Sequence, residues 1–523
     1  MVLRLAYFSS DTLNFDEYAC MLGVHSGFGE YYAQQQGGYT LPLLAHYWVT
    51  ARVLGAQLWE YRLASLLASM LLLVLAVAAI RVVRPKASLV VSIGLVLWLG
   101  VSSYSLFTAS YAMVSYSVSL LASATVFFLL LFLVRTSLKQ SAIIWLSVCF
   151  IPLGFFSLFT IVVPVMAGIV LLLAYRIRMS WGQRWRSTIT RWALDVVPLL
   201  VFVVLQGVVY VLNPFTNYGA IKRPDLAPYY FGQSGIGQSV SGALRFIATR
   251  TYWTARSTSN ALDSSILTKV ALVAGGVLAC VALAWALRRP RDAQVLFAAA
   301  YTVVLGAACA IGAIAGLYPY GSARYEYFLI VPVGFLVAQG LAIVVATTWG
   351  KLGRLRAHPR SVNAVAIMGV GLILACTVFV AWDRSRVYVQ ANRRSEQWFA
   401  TVAERENTVP GGVIVLCDAV AGPVVTVRLL PGLESGLNSI GYGSYWGEAG
   451  VPAVTREALR QNSMQREPDS LLLVLWGDAS HLAQFPSVAR DLERAYVLRW
   501  SVQGPYLWAG LYAPARHRPS AGL

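Results

Sequence analysis

Ionisable residues are scarce in this 523-residue chain, and three short runs of them stand out. Asp16 and Glu17 are adjacent near the start. Lys222 and Arg223 share a stretch with Tyr218, Pro224 and Pro228, and Arg324 is followed by Tyr325 and Glu326. An acidic pair can take a proton from a weak nucleophile held within hydrogen-bond reach. It can equally sit exposed at a helix start, where negative charge suits the dipole. Arginine offers a planar fork to phosphate, or it pairs with a neighbour such as Glu326 or with a lipid headgroup. Lys222 and Arg223 admit a phosphate role or plain solvation. His46 reads as a packed or interfacial residue, because no second ligand is spaced to help it hold a metal. Asp418 and Asp478 follow stretches that read as strands, where turn chemistry accounts for them. Cys149, Cys280, Cys309 and Cys376 fall in apolar runs and behave as small hydrophobes, whereas Cys20 and Cys417 lie outside such runs.

The elements that must carry these residues follow from composition. The chain is 58% hydrophobic and 12% charged, against about 25% charged residues in a soluble domain. Runs such as Met70–Ile80 and Val126–Val134 are apolar on every face, as a helix buried in lipid or in a large core must be. A single core that long is excluded by the roughly 250–300 residues at which cores stop growing. The spans read as 62–80, 88–103, 112–134, 142–156, 158–175, 192–212, 267–287, 294–316, 326–346 and 363–383, against the ~20 residues that cross a bilayer. Of these, 142–156 and 158–175 are short and nearly fused, and read as one long helix plus a re-entrant piece or, as the charges favour, as two crossings. The fold class is therefore mainly α: a polytopic membrane helical bundle of about ten transmembrane helices, with a small C-terminal α/β domain.

The net charge of +18 is distributed as a membrane protein distributes it. Five short loops, Arg81–Lys86, Arg135–Lys139, Arg176–Arg191, Arg288–Asp292 and Lys351–Arg360, hold 17 of the basic residues and one acid, Asp292. They alternate with loops poor in Lys and Arg, which is the positive-inside pattern and places the basic loops in the cytoplasm. A nucleic-acid-binding protein would gather its charge on one polar face; nucleic acid is excluded as a partner. The extracytoplasmic side then receives residues 1–61, the loops near Ser103–Tyr111, 213–266 and Leu317–Tyr325, and the region from 384 to 523. Three domains are expected: 1–61 with the Asp-Glu pair and interfacial helices, 62–383 as the bundle with external loop 213–266, and 384–523 as an extracytoplasmic α/β domain. In the last, Glu396–Asn407 reads as a helix. Gly412–Cys417 and Leu471–Trp476 read as buried strands, and Tyr496–Ser501 with Tyr506–Tyr512 as a terminal hairpin.

Most span centres are free of charge, so a transporter with a midplane site is the weaker alternative. The polar groups gather at the outer surface instead: Asp16, Glu17, Lys222, Arg223, Arg324 and Glu326. Phe15-Asp16-Glu17-Tyr18-Ala19 resembles the Asp-Glu motif of GT-C class membrane glycosyltransferases, in particular bacterial ones related to protein O-mannosyltransferases and to lipid A aminoarabinose transferases. Leu41-Pro42-Leu43-Leu44, Val53-Leu54-Gly55 and Tyr61-Arg62-Leu63-Ala64-Ser65 are similar to the series that leads into that family's second helix. Gly321-Ser322-Ala323-Arg324-Tyr325 with Pro332 resembles its Arg-Tyr and Pro element.

The resemblance implies a GT-C-like bundle in the plasma or inner membrane. It implies an inverting transfer of a sugar, hexosyl or pentosyl, from a polyprenyl-phosphate donor to a hydroxyl of a glycan, lipid or protein acceptor on the extracytoplasmic side. Asp16 and Glu17 would be catalytic. Arg324, Tyr325, Lys222 and Arg223 would bind substrate. No metal ligands are assigned, because the Ser103–Tyr111 loop carries no charge, although a divalent ion is compatible with the class. That family has a helix before its Asp-Glu motif, so a further helix upstream of Met1 is expected.

Overall fold

The computed structural model describes residues 15–34, 41–101 apart from 56, 86 and 87, 113–179, 185–212, 240–258, 266–288, 292–314, 327–354, 393–407, 413–417, 424–429, 440–442 and 470–515, with a few isolated positions besides. These residues fall into two compact units. One comprises those between Tyr32 and Asp383; the other joins those between Ser10 and Tyr31 to those between Arg384 and Leu523.

The chain begins with three short helices, α1 (Phe15–Met21), α2 (Phe28–Gln34) and α3 (Leu41–Val53). The bundle follows as α4 (Leu58–Val83), α5 (Ser88–Val101), α6 (Val114–Leu133), α7 (Gln140–Phe156), α8 (Val162–Met179, entered through a 3₁₀ turn, Phe159–Ile161) and α9 (Trp185–Leu212). Next come α10 (Val240–Thr258), within the expected external loop, then α11 (Ile266–Arg288), α12 (Ala293–Ile314) and α13 (Ile330–Arg354). Nine of the ten expected spans coincide with helices; residues 363–383 lie outside the described residues. Six spans of 20 to 26 residues are long and apolar enough to cross a membrane, reaching about 30–39 Å at 1.5 Å per residue. Three shorter apolar helices accompany them.

The bundle is organised around α6, most of whose residues are buried. The helices around it turn apolar side chains outward, among them Leu67, Leu71, Val74, Ile144, Trp145, Val204, Val303 and Ile311. Such a surface is costly in water and suits lipid. Packing between helices relies on small residues, since lipid supplies no hydrophobic drive to associate. A Cβ added to Gly340 would lie 2.0 Å from the Leu278 carbonyl oxygen, so α13 and α11 touch backbone to backbone; Gly334 likewise admits the Trp98 ring of α5.

The second unit holds a five-stranded sheet in the order β2-β1-β3-β5-β4. Its strands are β1 (Val413–Cys417), β2 (Ile440–Tyr442), β3 (Ser470–Trp476), β4 (Tyr496–Gln503) and β5 (Leu507–Pro514), with α14 (Pro486–Ala495) before β4. β2, β1 and β3 are parallel, while β5 pairs antiparallel with both β3 and β4. Val-Ile-Val-Leu-Cys and Ser-Leu-Leu-Leu-Val-Leu run apolar without alternation because both faces of β1 and β3 are covered. One face packs Ile414, Leu416, Leu471, Leu473 and Leu475 against Val488 and Leu492 of α14 and Trp508 of β5. The expected strands and hairpin are present. The hairpin turn is tighter than expected, over Gly504–Tyr506, because Gly504 N donates to Leu507 O at 2.7 Å and extends the pairing. The expected helix spans residues 393–406, and its Trp398 Nε1 donates to Val502 O at 3.1 Å.

Candidate functional site

The first unit has two chemically different ends. At one, Arg176 of α8 pairs with Asp195 of α9 at 2.7 Å and donates to the carbonyls of Leu133 and Thr136 at 2.7 and 3.1 Å. Leu138 N donates to the other oxygen of Asp195 at 2.7 Å. The end of α6, the start of α7, the end of α8 and the start of α9 therefore meet in one place. This shows α7 and α8 as an out-and-back pair, as the charges require. Arg84, just past α4, grips Asp292 at 2.6 and 2.8 Å, and Gln294 of α12 donates to Leu131 O at 3.0 Å. Four of the five basic loops thus open from a single end. Asp195 is paired and 1% exposed.

The opposite end is also polar. Leu158 N donates to Ser119 Oγ at 2.7 Å, Thr160 Oγ1 lies 3.3 Å from Tyr327 Oη, and Trp98 Nε1 donates to Ile330 O at 3.0 Å. Ser115, Ser117 and Ser119 are buried on the first turns of α6. Because α4 and α6 both end at the basic side, the first turns of α4 share this polar end. They carry Glu60, Tyr61, Arg62 and Ser65, all buried, and Arg62 is 1% exposed. Glu60 accepts from Gln57 N at 2.8 Å, where it suits the α4 dipole. Gly55 has φ +132°, and a Cβ there would fall 2.6 Å from the Glu60 carboxylate, so glycine is needed for both conformation and space. Tyr47 of α3 stacks on Tyr61 at 4.6 Å. Burial holds His46 below the ordinary histidine pKa, opposed by a contact at 3.4 Å with Tyr61 O, so the ring is neutral at pH 7. It packs, as its isolation in the sequence indicates.

In the second unit, α1 carries the Asp-Glu pair. Glu17 is 0% exposed, as are Tyr18 and Cys20. Glu17 is thus not a solvated acid at a helix start. Asp16 lies on α1; its side chain lies outside the described residues. Tyr31 Oη donates to Cys20 O at 2.6 Å, tying the start of α2 back to α1. Arg428, on a π-helical turn (Val425–Leu429), approaches Tyr18 Oη at 3.5 Å and pairs with Glu396. Cys20 and Cys417 are both buried.

Among known proteins, the chain is similar in structure to ArnT from Cupriavidus metallidurans, in crystals bound to undecaprenyl phosphate and in the apo state. Identity is 14% in each case, with a TM-score of 0.49 and 98% of this chain and 96% of that one covered. It is also similar to the Archaeoglobus fulgidus oligosaccharyltransferase in complex with Zn and sulfate, at 10% identity and a TM-score of 0.45 over 97% of this chain and 72% of that one. No family model matches the chain. No curated protein matches it in sequence. At such identity the roles of residues have to be read from this chain itself.

Arg324, Tyr325, Lys222 and Arg223 lie outside the described residues. Tyr327, two residues beyond Tyr325, is 0% exposed at the polar end. Among the described residues no three His, Cys, Asp or Glu side chains are grouped to hold a metal ion. Arg62 and Ser65 stand in a sequence motif without a role of their own; the signal there is a charged residue at the start of a long apolar run. Arg428 and Glu396 had no such signal, because their contacts span 410 and 32 positions along the chain.

Proposed function

We propose that the chain is an inverting glycosyltransferase. It moves a sugar from a polyprenyl-phosphate donor to an acceptor hydroxyl on the extracytoplasmic face. The observation that carries this reading is that Glu17 and Arg62, two charged residues of the motif series, are buried at 0% and 1% exposure. Ordinary surface charges would be solvated. Asp16 serves as the base that takes the acceptor proton, since a hydroxyl attacks poorly without one. The negative charge of the pair stabilises the oxocarbenium-like centre as the donor bond breaks. Glu17 orients the acceptor and Arg324 meets the departing phosphate, with Lys222, Arg223 and Tyr325 contributing to donor binding.

Transport of a lipid-linked substrate is supported less well. Among the described residues of the spans, the buried charged side chains are Glu60 and Arg62 towards one end and Arg176 and Asp195 at the other, not at the midplane where a transporter builds its site. The test is sugar transfer from a purified polyprenyl-phosphate-sugar donor by the wild type and by Asp16→Asn, which keeps shape and removes basicity. The expected loss is on the order of 10²–10⁴-fold, with normal membrane insertion. Transfer at the wild-type rate would remove Asp16 from the mechanism.

A further inference from the structure

The helix that carries Asp16 is seven residues long. A helix that short does not persist in water on its own propensity, where about 12–15 residues are needed even for favourable sequences. Its conformation is therefore set by what holds it. It contains three side chains at 0% exposure, Glu17, Tyr18 and Cys20, and Tyr31 anchors the carbonyl of Cys20. The same unit brings a cation to this helix. Arg428 places Nη1 3.5 Å from Tyr18 Oη, its other terminal nitrogen pairs with Glu396 of the helix at 393–406, and its Cζ lies 5.7 Å from the centre of the Phe399 ring. A guanidinium gripped by a carboxylate and an aromatic ring has few rotamers left to lose when it meets Tyr18. Tyr18 is two residues from Asp16.

We propose that the C-terminal domain acts in catalysis through Arg428, which positions the Asp16-bearing helix against Tyr18. Arg428 is a positioning residue, and the inference rests on Asp16 being the base of the reaction proposed above. It gives residues 384–523 a task in the chemistry that their sequence alone does not suggest. A displacement of about 1 Å at a reacting group can cost 10²-fold in rate, so losing the clamp should affect turnover far more than donor binding.

The experiment uses the full chain in detergent micelles with a purified polyprenyl-phosphate-sugar donor, and compares wild type, Arg428→Ala, Arg428→Lys, Tyr18→Phe and Asp16→Asn. Arg490→Ala serves as a surface control; that residue is exposed and bonds only locally, to Pro486 O and Ser487 Oγ. Arg428→Ala should lower kcat by about 10- to 100-fold with donor KM within about twofold, and Arg428→Lys should recover part of the loss. Hydrogen exchange read by mass spectrometry should show protection lost over Phe15–Met21 and kept over β3. A kcat within twofold of wild type in Arg428→Ala, while Asp16→Asn is inactive, would overturn the positioning role. So would a fall in kcat with the protection of Phe15–Met21 intact. If β3 also loses protection in Arg428→Ala, Tyr18→Phe decides in its place: a lower kcat with faster exchange over Phe15–Met21 supports the clamp, and unchanged kcat overturns it. Wild-type transfer by Asp16→Asn would instead sink the reaction assignment, and exchange over Phe15–Met21 would still report whether Arg428 orders the helix.

Discussion

Arg324 is the residue where a chemical role and an anchoring role make opposite demands. It stands three residues before Tyr327, which is buried at the polar end of the bundle. A cation at the donor phosphate stabilises the charge that grows as the glycosidic bond breaks, more than the charge already present. Arg324→Ala should therefore lower kcat as well as raise donor KM. Arg324→Lys should recover only part, since an ammonium lacks the bidentate fork. An arginine that merely anchors a helix end would be replaced fully by lysine, with normal kinetics in both variants. Asp195 poses a stability question instead. Its pair with Arg176 is nearly dry, the side chains being 8% and 1% exposed. Asp195→Ala would leave a buried cation with only two carbonyls, at a cost of roughly 3–5 kcal/mol. Thermal melting of the purified protein should drop accordingly, and the double replacement Arg176→Met with Asp195→Leu should restore most of it. A melting point unchanged in Asp195→Ala would mean that water reaches the pair.

At the level of elements, the contrast between two glycines tests how tightly the helices meet. Gly340 sits 2.0 Å, as a hypothetical Cβ, from a backbone oxygen of α11, whereas Gly306 on α12 has nothing within 4 Å. Backbone cannot rotate away as a side chain can, so Gly340→Ala must separate α13 from α11 and should cost about 1–3 kcal/mol. Gly306→Ala meets open space and gains helix propensity, so it should be neutral or stabilising by about 0.5–1 kcal/mol. Equal melting points for the two variants would show that the close approach of α13 and α11 is not maintained. The break between α7 and α8 has an equally local cause. Ser157 leaves the helix with ψ 155°, and the carbonyls freed there are taken by Gln206 of α9, which donates to Gly154 and Ser157. A single serine in an apolar run marked that break only faintly in the sequence, and the partner that stabilises it is 49 residues away.

At the scale of the whole molecule, the clustering of four basic loops at one end of the first unit fits the positive-inside reading, in which that end is cytoplasmic; that residues 384–523 lie outside is a proposal with its own test. In a background stripped of native cysteines, Ser501→Cys, on the exposed face of β4, should react in intact cells with a membrane-impermeant thiol reagent. Ser187→Cys should react only after lysis. The reverse pattern would invert the topology. The places of nine of the ten expected spans were legible because lipid imposes a one-dimensional rule: about twenty apolar residues in a row, punctuated by charge. The strands of the C-terminal domain were legible for a related reason, since burial on both faces writes an unbroken apolar run into β1 and β3. Pairings between distant parts of the chain were not legible. The short β2 (Ile440–Tyr442) joins β1, Arg84 meets Asp292, and the Asp16 helix belongs to the same compact unit as a sheet some 400 residues later. Local sequence determines which residues avoid water and with what period, because that depends on each side chain and its neighbours. Which buried acid meets which arginine depends on where the backbone brings them, and only the tertiary structure decides that.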